Sequence, residues 1–186
     1  MKKLVAVVGM AGSGKSIATD YLKENGWTKI YFGGAIYERM KKEGIEITPE
    51  SQKEFREAIR KEYGMGAVAV ILKDEIKAAF EAGNTVLDGL YSWDEYLILR
   101  EEFGDKLKLI CVCCDKKVRY ERIGNRVDRP FNSEEIVIRD VSEIENLAKG
   151  GPIAYADYYL FNNGSLEDYK KRLLEILDDI DKHEGE

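Results

Sequence analysis

A doubly wound α/β fold is the architecture this sequence predicts, and three observations point to it. Short, largely apolar runs recur along the chain. Amphipathic stretches of helical period separate them. No repeat or low-complexity linker divides the 186 residues into parts. That length corresponds to about one domain at roughly 150 residues each. With 44% hydrophobic residues and only three prolines, the chain has the material for a core and none of the bias of a disordered or fibrous protein.

The strands are expected at residues 4–8, 29–32, 85–87, 107–114 and 158–161. Each is compact and mostly apolar on both faces, as a buried parallel strand must be. Helical patterns fall at 15–25, 36–43, 50–61, 68–82, 93–103, 116–124 and 133–149. A last one covers 166–181, with Ser165 and Asp168 placed as a capping box. Alternation of this kind implies a five-stranded parallel sheet, right-handed crossovers and helices on both faces, three layers in all. One interval breaks the rule. About 50 residues, 33–84, hold three helical patterns where a plain crossover needs one. The expectation is therefore a single domain over 1–186 with a helical insertion at about 33–84.

Charge and composition narrow the function. A net charge of −6 disfavours a general nucleic-acid or anionic-membrane binder. No stretch approaches the roughly 20 apolar residues of a membrane span, and the apolar run at the N-terminus stops after five residues, too short for a signal peptide. A soluble, cytoplasmic protein is expected. The only histidine, His183, lies in the acidic tail, which leaves little room for histidine catalysis or a histidine metal site. Cys111, Cys113 and Cys114 fall inside one strand without zinc-type spacing, and are read as small apolar side chains in a reduced compartment.

Gly9-Met10-Ala11-Gly12-Ser13-Gly14-Lys15-Ser16 matches G-x-x-x-x-G-K-[ST] after the first strand and at the opening of a helix, the context that gives this pattern its meaning. Its glycines let successive backbone N–H groups converge on a phosphate, and the helix adds its positive end. Lys15 can bridge β- and γ-phosphates, and the Ser16 hydroxyl can ligate Mg²⁺. The expected cofactors are ATP and Mg²⁺. Asp88, directly after the third strand, faces the same end of the sheet; it is a candidate to hold Mg²⁺ through water, and the candidate base if the acceptor is a hydroxyl.

Five of the ten arginines, Arg119, Arg122, Arg126, Arg129 and Arg139, follow the fourth strand. The first three have i, i+3, i+7 spacing, which places them on one helix face. Guanidinium groups suit the charge of a transferring phosphoryl group, so a short lid at about 124–140 is expected, with Arg122, Arg126 and Arg129 as catalytic candidates. In the insertion, Arg39, Arg56 and Arg60 are candidates to hold an anionic acceptor. Asn162, after the last strand, is a candidate adenine contact.

Taken together these pieces resemble the P-loop nucleoside-monophosphate kinase superfamily, and within it a family of archaeal adenylate-kinase-related, dephospho-CoA-kinase-like proteins. The likeness is carried by the phosphate loop, Phe32-Gly33-Gly34, Arg60-Lys61-Glu62-Tyr63-Gly64-Met65, Leu87-Asp88-Gly89, the Arg119-x-x-Arg122-x-x-x-Arg126 run, and Ala156-Asp157 through Asn162. It implies a kinase moving the γ-phosphoryl of ATP to a nucleotide-like acceptor, a nucleoside monophosphate or dephospho-CoA. Gly33-Gly34 stands where many monophosphate kinases read Gly-Asp, and Tyr91 near where an arginine often meets the acceptor phosphate. The alternatives are a nucleotide-dependent switch and an ATP-binding regulatory protein with slow hydrolysis.

Overall fold

The computed structural model describes residues 2–126 and 131–183. Five parallel strands form one sheet in the order β2-β3-β1-β4-β5: β1 Leu4–Val8, β2 Thr28–Tyr31, β3 Thr85–Asp88, β4 Leu107–Cys113 and β5 Tyr158–Phe161. The central strand β1 pairs with β3 on one side (Val7 opposite Asp88) and β4 on the other (Val8 opposite Cys111). The chain therefore leaves β1 in opposite directions on its two sides, which opens a crevice at the carboxyl ends of the strands.

Side chains of β1 alternate between two cores. Leu4, Ala6 and Val8 face the layer of α4 (Ala67–Ala82) and α5 (Trp93–Phe103), where Leu72, Ile76, Tyr96 and Leu99 are buried. Val5 and Val7 face α1 (Lys15–Glu24) and α9 (Leu166–His183), through Ala18, Leu22, Tyr169, Leu173 and Leu177. Both faces of β1 are covered, so it reads as five apolar residues without alternation. α5 starts where Ser92 and Glu95 form a reciprocal capping box. At its far end Arg100 ties Asp105 and the carbonyl of Gly104 in the short 3₁₀ turn Gly104–Lys106 that leads into β4.

The insertion comprises α2 (Phe32–Lys42), α3 (Pro49–Tyr63) and the start of α4. It has a small core of its own, made of Ile36, Met40, Ile59 and Ala67. Where residues 29–32 were expected as strand, Phe32 already belongs to the helix, which runs through Gly33 and Gly34 instead of starting at 36. The Tyr31 ring lies close over these residues, within 3 Å of where a Cβ on Gly33 would stand. After β4 come α6 (Lys116–Gly124), α7 (Ser133–Glu145) and α8 (Gly150–Ala154). The helix expected at 133–149 ends early, because Ala148 takes a left-handed conformation at φ 48°. Cys114 lies just beyond β4, and all three cysteines are free thiols. Among the described residues no helix is long and apolar enough to cross a membrane.

Candidate active site

The loop from Gly9 to Gly14 leaves β1 and turns into α1 in conformations that side chains resist. Gly9 has φ 140°, and a Cβ there would strike the carbonyl of Val112; Gly12 has φ 78°, with the carbonyl of Arg119 2.8 Å from where its Cβ would stand. Neighbouring side chains hold the loop's carbonyls from outside. Asn162 Nδ2 donates to Ser13 O at 2.8 Å, and the Tyr169 hydroxyl donates to Gly14 O at 3.0 Å. With these carbonyls turned outward, the first amides of α1 open onto the loop. Ser13 Oγ is buried there without a hydrogen-bond partner among the described residues. Lys15 folds back over the loop, its Nζ donating to Gly9 O at 2.8 Å and Met10 O at 3.1 Å. Burial, and next the neighbouring Lys149 ammonium, lower its pKa to about 7. A cradle too tight for side chains, an unpartnered hydroxyl and an ammonium resting only on neutral carbonyls fit a phosphate chain.

Asp88, at the end of β3, is buried and 2.7 Å from the Nζ of Lys29 on β2; the same ammonium reaches Asp20 of α1, also at 2.7 Å. Burial opposes charge on Lys29, but the bonds to Asp20 and Asp88 outweigh it and raise its pKa. Asp88 also lies within the electrostatic field of Lys15. Ser16 occupies the second position of α1 and is exposed, so a metal held by Ser16 and reached from Asp88 through water is compatible with the residues present.

The arginines after β4 do not form one face. Arg119 is buried, with NH1 and NH2 on the two carboxylate oxygens of Asp140 at 3.0 and 2.6 Å and NH1 also on Ala11 O at 2.9 Å. It fastens α7 to the phosphate loop. Arg122 is half-buried and donates to Asn162 O at 3.0 Å. Arg126 stands exposed just past the end of α6, and Arg129 lies outside the described residues. Arg139 donates from Nε to Glu143 at 3.2 Å, and Glu143 in turn holds the fully buried Lys149 at 2.7 Å. Of the expected lid, the described part is Gly124 to Arg126 and the segment from Phe131 into α7, resting on Ala11 through Ile123 and Ile136.

On the insertion side, Arg39 is paired with Glu43 at 2.5 Å on the surface. It lines a groove of about 500 Å³ along the edge of β2, with Lys29, Tyr31, Gly34 and Leu72. Arg56 is half-buried on α3. The exposed Arg60 is close enough to Glu95 to act on its charge. Glu95 accepts from the backbone of Tyr91 and Ser92 at 2.7 and 3.1 Å, and burial pushes its pKa up to about 7 despite those bonds. The Tyr91 hydroxyl folds back towards Gly89, and burial, with Tyr31 and Asp88 nearby, raises its pKa. Lys29, Glu143, Lys149 and Tyr169 were not singled out from the sequence. Each meets its partner only through the fold.

A parallel sheet in this order, with the phosphate cradle at the carboxyl end of its central strand, defines a P-loop nucleoside-triphosphatase-type domain. Residues 5–144 match the family model described as AAA domain. The chain belongs to the UPF0200 family. It is 33% identical over 181 residues to a UPF0200 protein of Thermococcus kodakarensis, covering 95% of this chain and 97% of that one. It is 34% identical over 184 residues to one of Sulfurisphaera tokodaii, covering 94% and 96%. Among solved structures, a shikimate kinase from Bacteroides thetaiotaomicron superimposes with TM-score 0.63 at 14% identity, covering 96% of this chain and 99% of that one. A gluconokinase from Sinorhizobium meliloti does so with TM-score 0.62 at 16% identity, covering 98% and 95%. At those identities the likeness is one of fold alone.

Proposed function

We propose that the chain is an ATP-dependent phosphotransferase that moves the γ-phosphoryl group to a small nucleotide-like acceptor, a nucleoside monophosphate or dephospho-CoA. The observation that carries this reading is the cradle itself, where Lys15 rests on the carbonyl of Gly9 beside the buried Ser13 hydroxyl, unpartnered among the described residues, at the start of α1. The helical insertion beside it gives an acceptor somewhere to bind, and solved structures of similar fold carry the names of small-molecule kinases.

The chemistry is mostly positioning and charge neutralisation. Lys15 leaves the carbonyls of Gly9 and Met10 and takes β- and γ-phosphate oxygens. Ser16 and Asp88 would hold Mg²⁺, which supplies further neutralisation of the phosphates. Arg122 and Arg126, with Arg129, would meet the charge that spreads over the transferred group as the lid closes and excludes water. Arg39, Arg56 and Arg60 are the acceptor-side cations. If the acceptor is a phosphate, its oxygen is already a nucleophile; if it is a hydroxyl, Asp88 receives the proton. Asn162, whose amide already holds Ser13, would border the adenine. Calorimetric titration with ATP and Mg²⁺ tests the first half of this reading: saturable binding lost in Lys15→Ala supports it, and no binding by the wild type refutes it.

A further inference from the structure

We propose that Cys111 and Cys113 form a modification site: a peroxide oxidises them to a disulfide along β4, and the disulfide withdraws the phosphate loop from nucleotide. The effect on the loop rests on the nucleotide binding proposed above, while the pairing of the two thiols stands on its own geometry.

Distance singles out this pair. Residues two apart on a strand share one face, and both side chains pack into the core beneath α4 and α5. Their Sγ atoms stand 3.3 Å apart; a disulfide bond is about 2.05 Å long. The Cα atoms of residues so spaced lie roughly 6.6 Å apart, inside the span a disulfide can bridge. Cys114 is engaged differently, its Sγ accepting from Arg122 NH1 at 3.7 Å. All three are free thiols.

Burial sets the order of events. Cys111 is fully buried and need not meet the oxidant. Cys113 is half-buried, and it lines a cavity of about 90 Å³ that Gly9, Met10 and Ser13 of the phosphate loop also line. A peroxide entering there reaches Cys113 first. The Cys113 sulfur attacks one peroxide oxygen, the O–O bond breaks, water leaves and a sulfenic acid remains. The Cys111 sulfur then attacks the Cys113 sulfur, its proton leaves with the hydroxyl as a second water, and the S–S bond forms. Two thiols give two electrons to one peroxide, which closes the balance.

Three contacts carry the change to the loop. Val112, between the two cysteines, presents its carbonyl so close to Gly9 that a Cβ there would strike it. Cys111 pairs across the sheet with Val8, the residue before that glycine. Asn162 N donates to Cys113 O at 2.7 Å, and Nδ2 of the same asparagine donates to Ser13 O at 2.8 Å. Drawing the sulfurs to bonding distance pulls residues 111 and 113 together and moves the Val112 peptide between them. Gly9 has no slack against that carbonyl, and a close-packed interior transmits the strain to the loop.

The test treats the wild type, Cys113→Ser and Cys114→Ser with hydrogen peroxide. Thiol counting, peptide mapping and calorimetric ATP affinity follow, before oxidation, after it and after reduction with dithiothreitol. The oxidised wild type should lose two of its three thiols, carry a link between Cys111 and Cys113, and bind ATP about tenfold or more weakly. Dithiothreitol should restore both thiols and affinity. Cys114→Ser should behave as the wild type does. Cys113→Ser should form no link and keep its ATP affinity within about twofold through the same treatment, which also controls for oxidation of Met10. Thiols that survive in the wild type, or a link made by Cys114, overturn the proposal. So does a link between Cys111 and Cys113 that leaves ATP affinity unchanged, or a loss of affinity on oxidation that persists in Cys113→Ser. Should Cys113→Ser fail to fold, Cys113→Ala takes its place with the same expectations. A reduced wild type that binds no ATP removes the parent reading and the coupling together; a reduced form that binds ATP, with an oxidised form that binds it equally, removes only this inference.

Discussion

Arg119 grips Asp140 with both ends of its guanidinium while donating to the carbonyl of Ala11, so one buried ion pair joins α6, α7 and the phosphate loop. Removing one partner strands the other charge inside the protein. Arg119→Ala and Asp140→Ala should each cost about 3–5 kcal/mol in urea unfolding. The double variant should lose much less than the sum of the two, because the partners act as a unit.

The exposed Arg126 should behave in the opposite way. Arg126→Ala should leave the unfolding midpoint unchanged, since its side chain is exposed. Its effect should fall on turnover, with kcat lowered about 10³-fold, the scale of a transition-state arginine, and ATP affinity lowered only modestly. Steady-state kinetics beside calorimetry separate the two quantities.

What is legible in the sequence and what is not follows from distance along the chain. The phosphate loop is eight consecutive residues, so its spacing alone reveals it. The strands and α5 are revealed by local apolar patterns, and Ser92 with Glu95 marks a helix start by spacing of the same kind. The pair Arg119 and Asp140 is separated by 21 positions, and Asn162 meets Ser13 across 149, so no local pattern announces either. Periodicity placed Arg119, Arg122 and Arg126 on one helix face, but α6 ends at Gly124 and burial separates the three. Lys149 sits at the end of a stretch that reads as helix. Only the left-handed Ala148 turns it inward, and alanine gives no warning of that conformation.

Lys15 gives ATP binding a pH dependence of known sign. Burial lowers its pKa to about 7 in the free protein, whereas phosphate binding favours the ammonium form. Binding should therefore take up a proton above that pH, and ATP affinity should fall as pH rises from 7 to 9, by up to about tenfold per unit. Calorimetry in buffers of different ionisation enthalpy measures the uptake directly.

Glu95 should show itself in stability. Burial raises its pKa to about 7, above the unfolded value, so the stability it contributes is complete at low pH and is lost as pH rises through 7. Glu95→Gln keeps a carbonyl oxygen for the amides of Tyr91 and Ser92 and never ionises. It should match the wild type near pH 5 and exceed it near pH 8 by on the order of 1–3 kcal/mol. Urea unfolding at the two pH values checks both halves.

Phosphoryl transfer itself is tested by ADP formation from ATP and Mg²⁺ in the presence and absence of a panel of nucleoside monophosphates and dephospho-CoA, with Lys15→Ala as the control. The account predicts ADP release that rises sharply with one acceptor class, yields the phosphorylated acceptor in equal amount, and disappears in Lys15→Ala. ADP release that is slow and indifferent to every acceptor would contradict it.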